Sequence, residues 1–353
     1  MKLALSLGYV LGSGPANATR DVVALAQEAE RLGFSVVWTA EAYGSDAATV
    51  LAFLAAQTER IGLGAAVMQI PARTPAMTAM TAATLDVLSG GRFRLGLGVS
   101  GPQVSEGWHG VRFDKPLART REYVEIVEQA LARQTVSHEG EFFTLPLPNG
   151  PGKPLKLAIQ PPRDRIPLYL AAIGPKNLEL VGELADGWLA IFFSPEHAAD
   201  SIAHLDAGRE AAGRGGAPFD VAATVPVSIG PDVAACADPL RPYAALYVGG
   251  MGSSDQNFYN QLARRMGFEQ EAATVQDLYL DRKHREAMAA VPVDFIDQTS
   301  LLGPPERIVE RLHAFAEAGV TTLTLSTVAP EHSMRIHALR EVSEALDVAG
   351  LAD

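Results

Sequence analysis

Short apolar runs that end in small residues alternate along the chain with longer segments of helical periodicity. The clearest unit begins with the apolar run 61–67, continues through an Ala- and Met-rich segment from Thr74 to Leu88, and ends with a second apolar run at 92–98. Runs of this length are typical of strands buried on both faces of a sheet, and the segments between them suit crossover helices.

The pattern predicts eight such units. The predicted strands are Leu3–Leu7, Phe34–Thr39, 61–67, 92–98, Pro167–Ala172, Gly187–Phe192, Val221–Ile229 and Val320–Ser326. Alternating strands and helices indicate a parallel sheet covered by helices, and eight units favour a closed (β/α)8 barrel over an open sheet of five or six strands. We therefore predict an α/β fold, a single TIM-barrel domain over residues 1–353.

Two insertions interrupt the alternation. Residues 137–165 are rich in proline and lack helical periodicity, which predicts an extended excursion or hairpin over the barrel rim. Residues 233–300 read as mostly helical and are broken by a glycine-rich stretch that begins at Gly249. We hypothesise that Gly249 to Tyr259 is a substrate lid, because long insertions are often functional. Its deletion should raise the substrate KM and spare cofactor binding.

Composition narrows the class of protein. The 353 residues carry a net charge of −12, which argues against a nucleic-acid or anionic-membrane partner because phosphates would be repelled. No apolar run approaches the roughly 20 residues of a membrane span. The single cysteine excludes an internal disulfide, and no His, Asp or Glu spacing indicates a metal site. These features predict a cytoplasmic enzyme that acts on a small molecule.

One motif imitates a dinucleotide site. Gly96 to Gly101 spells G-x-G-x-x-G directly after a strand, but a lone match is weak and this one stands in the fourth unit instead of the first. Pro102 and an expected loop follow it, so no helix N-terminus should face a pyrophosphate. We interpret the motif as a strand end and not as a Rossmann fingerprint.

Candidate chemistry lies after the strands, because barrel enzymes build their sites on the loops at the carboxyl ends. Glu41 and Tyr43 follow the second strand; Glu41 could bind a ligand, act as a base, or be a solvated carboxylate. His109 follows the fourth strand and could donate a proton or pack beside Trp108. Met68, Met77 and Met80 are expected to fill the core.

The loop after the fifth strand could bind a phosphate. It precedes a predicted helix whose free N–H groups and positive dipole end attract anions, and a lysine lies nearby. An ordinary strand-to-helix turn with proline at the first helical position is the alternative. The residues concerned are Ala171, Ala172, Ile173, Gly174, Pro175 and Lys176.

Taken in order, several stretches make the chain resemble the bacterial luciferase-like superfamily. The resemblance is to the branch that depends on the deazaflavin coenzyme F420, which includes methylenetetrahydromethanopterin reductases and F420-dependent dehydrogenases. The stretches that carry it are 29–34, 36–38, 60–67, 73–75, 89–93, 95–98, 185–188, 303–307 and 318–320.

The resemblance implies a barrel with an insertion beside the cofactor pocket and assigns several residues to the cofactor. A non-prolyl cis peptide in the third-strand bulge matches Ala66–Val67 and would back the deazaflavin ring. Glu41 matches a carboxylate near that ring. The cofactor loop of the fourth strand matches Gly98, Val99 and Ser100, and the loop near the phosphate-bearing tail matches 171–175, with Lys176 beside it.

The implied function is hydride transfer between the C5 atom of the deazaflavin and an unidentified organic substrate, with Tyr43 and His109 as candidate proton donors. An FMN-dependent monooxygenase on the same barrel is the alternative, and a barrel that binds no cofactor is a third possibility. Relatives that oxidise a sugar phosphate carry a histidine where this chain has Ala42, which argues against that substrate. The family commonly forms homodimers.

Overall fold

The computed structural model describes residues 1–8, 18–252 and 256–352. The middle of the predicted lid, 253–255, lies outside the described residues. The strands are β1 Lys2–Ser6, β2 Val36–Thr39, β3 Gly62–Ala65, β4 Met68–Gln69, β5 Phe93–Gly98, β6 His138–Glu139, β7 Thr144–Leu145, β8 Leu168–Ala171, β9 Gly187–Ile191, β10 Asp220–Ile229, β11 Leu301–Gly303 and β12 Thr322–Thr327.

The helices follow the strands as the alternation predicts. They are α1 Ala18–Arg31, α2 Ala47–Ala55, α3 Pro75–Leu88, α4 Pro102–Gly107, α5 Pro116–Leu131, α6 Pro175–Leu184, α7 Ala198–Ala211, α8 Val233–Ala237, α9 Arg241–Ala245, α10 Phe258–Arg265, α11 Glu269–Leu280, α12 His284–Ala290, α13 Val293–Gln298, α14 Pro305–Glu317 and α15 His332–Val348. A π-helix at Leu246–Gly250 continues α9.

Eight parallel strands form a closed barrel, which confirms the predicted fold. Their order is β1, β2, β3, β5, β8, β9, β10 and β12, and β12 pairs with β1 to close the ring. Apolar side chains at alternate strand positions face outward and pack under the helices. The intervening positions face the lumen, where Ala4, Val36, Trp38 and Tyr169 form a separate buried cluster with Leu189 and Ala222.

The structure corrects three expectations. A six-residue helix, α4, begins at Pro102, so the prediction of a loop after the fourth strand was wrong. Strand β11 was not predicted; it pairs with the last residues of β10, beyond the end of β9. Met68 is buried as expected, but Met77 and Met80 are half exposed on α3 and do not fill the core.

The two insertions lie in different places. Strands β6 and β7 form a short antiparallel hairpin within 137–165, as expected, but the backbone N–H groups of residues 141–143 donate to Glu122 of α5, so the hairpin packs on the helix layer. Helices α8 to α13 fill the segment between β10 and β11 and form their own apolar cluster, centred on Phe192 and Phe295. Ile191 and Val328, at the ends of barrel strands, pack against that cluster, which places the second insertion over the carboxyl ends of β9 and β12.

Candidate active site

The inward positions at the carboxyl ends of the barrel strands, which we call the mouth, carry small side chains. These positions are partly exposed, whereas Trp38 and Ala222 deeper in the lumen are buried. The small or hydroxyl-bearing residues that line this mouth are Ser6, Ala66, Ala171, Thr224 and Ser326. A flat ligand could therefore approach the strand ends closely.

The wall between β3 and β5 contains the predicted bulge. The Ala66–Val67 peptide is cis, which confirms the bond that the resemblance implied. Ala66 N–H donates to the carbonyl of Thr39 at 2.7 Å, and the Val67 carbonyl accepts from the Glu41 N–H at 3.2 Å. A Cβ added at Gly98 would lie 2.6 Å from Cγ2 of Val67, so glycine is the residue that leaves room for the bulge.

A close contact also explains why Gly96, the first glycine of the G-x-G-x-x-G motif, is a glycine. A Cβ added at Gly96 would lie 1.8 Å from the carbonyl oxygen of Ala65 on the neighbouring strand. Glycine is therefore required at Gly96 and Gly98 by packing inside the barrel. This supports the interpretation of the motif as a strand end.

Glu41 is held by the protein on both carboxylate oxygens. Its Oε1 accepts from the Ala47 N–H at 3.0 Å, and its Oε2 accepts from Arg73 Nη1 at 2.6 Å and from the Gln69 N–H at 3.3 Å. Arg73 also pairs with Asp46. The side chain of Glu41 is only 7% exposed, so it is not the solvated carboxylate of the simplest interpretation. It fixes the loop after β2 against the bulge.

Burial and pairing act in opposite directions on the pKa values of Asp46 and Arg73, the two charged residues beside Glu41. Burial raises the pKa of Asp46, but hydrogen bonds from the Thr49 hydroxyl and N–H, with the Arg73 charge, bring it below its ordinary value. Burial lowers the pKa of Arg73, and the contacts with Glu41 more than reverse this effect. Asp46 and Arg73 are therefore both ionised near neutral pH.

His109 is joined to the bulge by a side chain that the sequence analysis did not select. Nε2 of His109 lies 2.8 Å from Oε1 of Gln69, and Nε2 of Gln69 donates to Ser100 Oγ at 3.0 Å. Gln69 is 4% exposed, whereas Trp108 is largely exposed and does not bury the histidine. The backbone of Ser100 is left-handed, with φ at 62°. Gln69 thus connects His109, Ser100 and the bulge.

The loop after β8 begins α6 with Gly174 as its N-cap and Pro175 at its first turn. Gly174 offers no side chain to cap the helix. Lys176 is exposed, and Arg265 of α10 donates to the Ile173 carbonyl at 3.2 Å. Arg265 brings a second cation to this helix terminus, and its distance along the sequence explains why no motif revealed it.

Aromatic side chains form a roof over the β9 side of the mouth. Phe192, directly after β9 and left-handed at φ 51°, contacts Tyr243, Tyr247, Tyr259 and Phe295 at centroid distances of 5.3 to 6.1 Å. Across the mouth, Phe258 of α10 contacts Phe113 at 6.3 Å. We call the segment 233–298 the roof because it reaches loops on several sides of the barrel.

Two buried asparagines fix the part of the roof that was predicted to be a lid. Asn257 donates to the carbonyls of Tyr247 and Val248 in the π-helix, and Asn260 donates to Val248 and Ala272. The lid function itself stays a prediction. Tyr43 is 59% exposed on the loop after β2. Burial, with the nearby Tyr43 as a smaller cause, raises the pKa of the Tyr279 phenol.

The described ranges 1–8, 18–252 and 256–352 contain neither a cluster of metal ligands nor a helix that could span a membrane. No group of three or more His, Cys, Asp or Glu side chains there is arranged to hold a metal ion. None of the helices in those ranges combines the length and apolarity needed to cross a bilayer. The described site is thus built from backbone, small side chains and a few buried ion pairs.

Comparison with known proteins gives consistent matches. The sequence profile of the luciferase-like monooxygenase family matches residues 1–322. A Mycobacterium tuberculosis protein, provisionally named a coenzyme F420-dependent oxidoreductase, is 44% identical over 96% of this chain and 99% of its own. The 5,10-methylenetetrahydromethanopterin reductase of Archaeoglobus fulgidus is 30% identical over 87% and 90% of the two chains. The solved tetrahydromethanopterin reductase of Methanopyrus kandleri, described as coenzyme F420-dependent, superposes with a TM-score of 0.81 at 24% identity, over 98% and 97% of the chains.

Proposed function

The chain belongs to the luciferase-like monooxygenase family, and we propose that it is an oxidoreductase that moves a hydride between coenzyme F420 and a small organic substrate. The observation that carries the proposal is the 44% identity, over nearly the full length of both chains, with a protein named for F420-dependent oxidoreduction. The mouth of the barrel supplies a site of suitable form, with small side chains at the strand ends and an arginine beside the α6 terminus.

The residues of the mouth fit a flat cofactor with a phosphate-bearing tail. We assign the ring to the wall formed by Ala66, Val67 and Gly98, where the absence of a Cβ at Gly98 leaves the bulge in place. We assign the phosphate to the start of α6, where Arg265 and Lys176 add positive charge to the helix dipole. When bound, coenzyme F420 supplies a hydride donor or acceptor at C5.

The protein's own contribution is orientation, exclusion of water and proton transfer. Glu41 and Arg73 hold the loop after β2 in contact with the bulge, which keeps the ring wall rigid. Gln69 fixes the imidazole of His109, and His109 is our candidate for exchanging a proton with the substrate. The roof limits the access of water to the β9 side of the mouth.

A side-by-side fluorescence titration with coenzyme F420 and FMN at matched ionic strength tests the proposal. We expect tight binding of F420 and weak binding of FMN. Ala66→Leu should abolish F420 binding, because the leucine side chain enters the ring wall, and the far-UV circular dichroism should be unchanged. A preference for FMN would replace this proposal with a flavin monooxygenase, and no binding of either cofactor would refute both.

We further propose that the protein forms a homodimer through α2 and α3. Helix α2 carries no charged side chain, and the only charge on α3 is the buried Asp86. Phe53, Met77 and Met80 are each 43% to 51% exposed on these two helices, so two copies of the negatively charged chain could meet here without bringing charged side chains of α2 and α3 together.

Analytical ultracentrifugation tests this interface. Met80→Glu should convert the dimer to a monomer because it buries a carboxylate in the interface. Met334→Glu on α15, where the methionine is 52% exposed, is the matched control and should leave the dimer intact. A monomeric parent protein, or equal effects of the two substitutions, would reject the interface. The cytoplasmic location stays a prediction from composition.

A further inference from the structure

The side chain of Gln69 faces the mouth of the barrel from a fixed backbone. Met68 packs in the outer core and Val67 packs against the buried cluster of the lumen, so alternation along the strand places Gln69 on the lumen side. Its backbone pairs with Gly98 of β5, and its N–H donates to Glu41. Gln69 is only 4% exposed, so its amide has little freedom to move.

The two ends of the Gln69 amide contact different groups. The amide nitrogen, which only donates, lies 3.0 Å from Ser100 Oγ, and the amide oxygen, which only accepts, lies 2.8 Å from Nε2 of His109. Nε2 of His109 must therefore carry a hydrogen. A neutral imidazole has one protonated nitrogen, so the lone pair of the neutral ring is on Nδ1.

The second ring nitrogen of His109 is left available. Within residues 1–8, 18–252 and 256–352, Nδ1 has no hydrogen-bond partner and is not one of the buried unpartnered atoms. The backbone N–H of His109 donates to the Val104 carbonyl of α4 at 3.1 Å, which holds the residue at the end of that helix. A small molecule in the mouth can therefore reach Nδ1, whereas Nε2 is occupied by Gln69.

An amide suits this position better than a carboxylate would. Gln69 does not ionise, so its oxygen accepts from Nε2–H at any pH at which the protein is folded. A carboxylate at this position would add a negative charge to a residue that already contacts Glu41, whose own charge is balanced by Arg73.

We propose that Gln69 is a positioning residue that keeps a proton on Nε2 of His109, so that Nδ1 is the atom that exchanges a proton with the substrate. A proton taken from the substrate moves to the lone pair of Nδ1 and gives an imidazolium, whose Nε2–H still donates to Gln69; the reverse reaction returns the proton from Nδ1. The proposal rests on the proposed function in placing the cofactor on the adjacent wall, formed by Ala66, Val67 and Gly98.

NMR of the protein labelled with 15N at histidine tests the position of the proton, because a protonated and an unprotonated ring nitrogen give separate signals. The chain has eight histidines, so the spectrum of His109→Asn assigns the signals of His109. In alkaline buffer, where the ring is neutral, we expect the proton on Nε2. Gln69→Met removes the acceptor and keeps the length of the side chain, and it should lower the ratio of Nε2–H to Nδ1–H about tenfold, as expected for one hydrogen bond.

Two further variants separate positioning from a general loss of structure. Ser100→Ala removes the acceptor of the amide nitrogen, which frees the Gln69 amide to turn, so it should also lower the ratio. If Gln69→Met does not fold, Ser100→Ala decides the same question. Gln103→Met is the matched control, because it makes the same change at an exposed glutamine of α4, and it should leave the ratio unchanged.

Iodoacetamide tests whether Nδ1 is the accessible nitrogen. An unprotonated ring nitrogen attacks the reagent, displaces iodide and becomes alkylated, so peptide mapping followed by amino-acid analysis should find the modification of His109 on Nδ1. Saturating coenzyme F420 should slow this reaction, because the wall assigned to the ring adjoins Gln69 and Ser100.

Three results would overturn the inference: a neutral His109 with its proton on Nδ1, equal ratios in Gln69→Met and Gln103→Met, or alkylation on Nε2. If F420 binds and leaves the alkylation rate unchanged, His109 lies away from the cofactor, so the inference fails while the proposed function stands. If F420 binds to none of the proteins while the NMR and alkylation patterns hold, the proposed function fails and the positioning of His109 by Gln69 stands.

Discussion

The substitution Gly98→Ala probes the packing that forms the ring wall. Its Cβ would lie 2.6 Å from Val67 Cγ2, about 0.8 Å inside the 3.4 Å at which ordinary contacts begin. Val67 belongs to the bulge and contacts the Glu41 backbone, so the clash is relieved by turning the stiff β-branched side chain of Val67, by moving the bulge or by distorting β5. Overpacking of this size costs about 1–3 kcal/mol, and we expect about 2 kcal/mol of unfolding free energy to be lost.

A double-mutant cycle with Val67→Ala tests the stated cause. Removing both γ carbons leaves Val67 Cβ as the nearest atom of that side chain, at 3.5 Å, which is an ordinary contact. In the Val67→Ala background we therefore expect Gly98→Ala to cost less than 1 kcal/mol. Urea unfolding measures the four stabilities, and F420 titration should show affinity falling with Gly98→Ala and partly recovering in the double variant.

Two further glycines serve as controls for the cycle. Gly216 has open space where a Cβ would be, so Gly216→Ala should be nearly neutral. Gly96→Ala meets the backbone oxygen of Ala65, which no side-chain truncation removes, so Val67→Ala should not rescue it. The reasoning is refuted if Gly98→Ala costs the same in both backgrounds, since the cost would then arise elsewhere.

Two predictions concern ion pairs that join separate parts of the chain. Arg163→Met should cost about 3–5 kcal/mol in urea unfolding, because Arg163 is the cation paired with the fully buried carboxylate of Asp86; a cost below 1 kcal/mol would contradict this. Hydrogen bonds, first from Arg31 and then from Arg340, lower the pKa of Glu28 from 4.5 to about 2. Its stabilisation, about 1 kcal/mol after screening, is therefore complete above pH 5 and is lost as the pH falls towards 2. Thermal melts should show Glu28→Gln less stable at pH 6 and equal to the parent protein near pH 2; a constant difference would argue against the pair.

The fold was predictable because its signals are local. Each barrel strand reads as a short apolar run bounded by glycine, proline or a helix start, and eight such units leave few architectures. Strand β11 escaped prediction because three residues carry no periodicity, and α4 because proline at the start of a helix resembles proline in a loop. Met77 and Met80 were misassigned because an apolar helix face looks the same whether it packs on the barrel or on another surface.

The site was predictable only in part, because most of its contacts join distant residues. Glu41 could be selected from its place after a strand, but its pairing with Arg73 depends on how two loops meet. Gln69 lies in a bulge and reaches His109 forty positions away, and neither residue belongs to a motif.

The roof leaves the barrel at the end of β10 and returns at β11, and these two strands pair with each other. The pairing of β10 with β11 therefore holds the two ends of the roof next to each other, and this does not depend on the residues between them. Chain closure then depends only weakly on length, since each doubling of a flexible loop adds about 0.6 kcal/mol. A segment of different size and sequence could replace residues 233–298 without changing the wall assigned to the ring, although the cation that Arg265 brings to the start of α6 would have to be supplied again. The architecture thus places the wall assigned to the ring in the barrel strands and leaves most of the covering segment free to vary with the substrate.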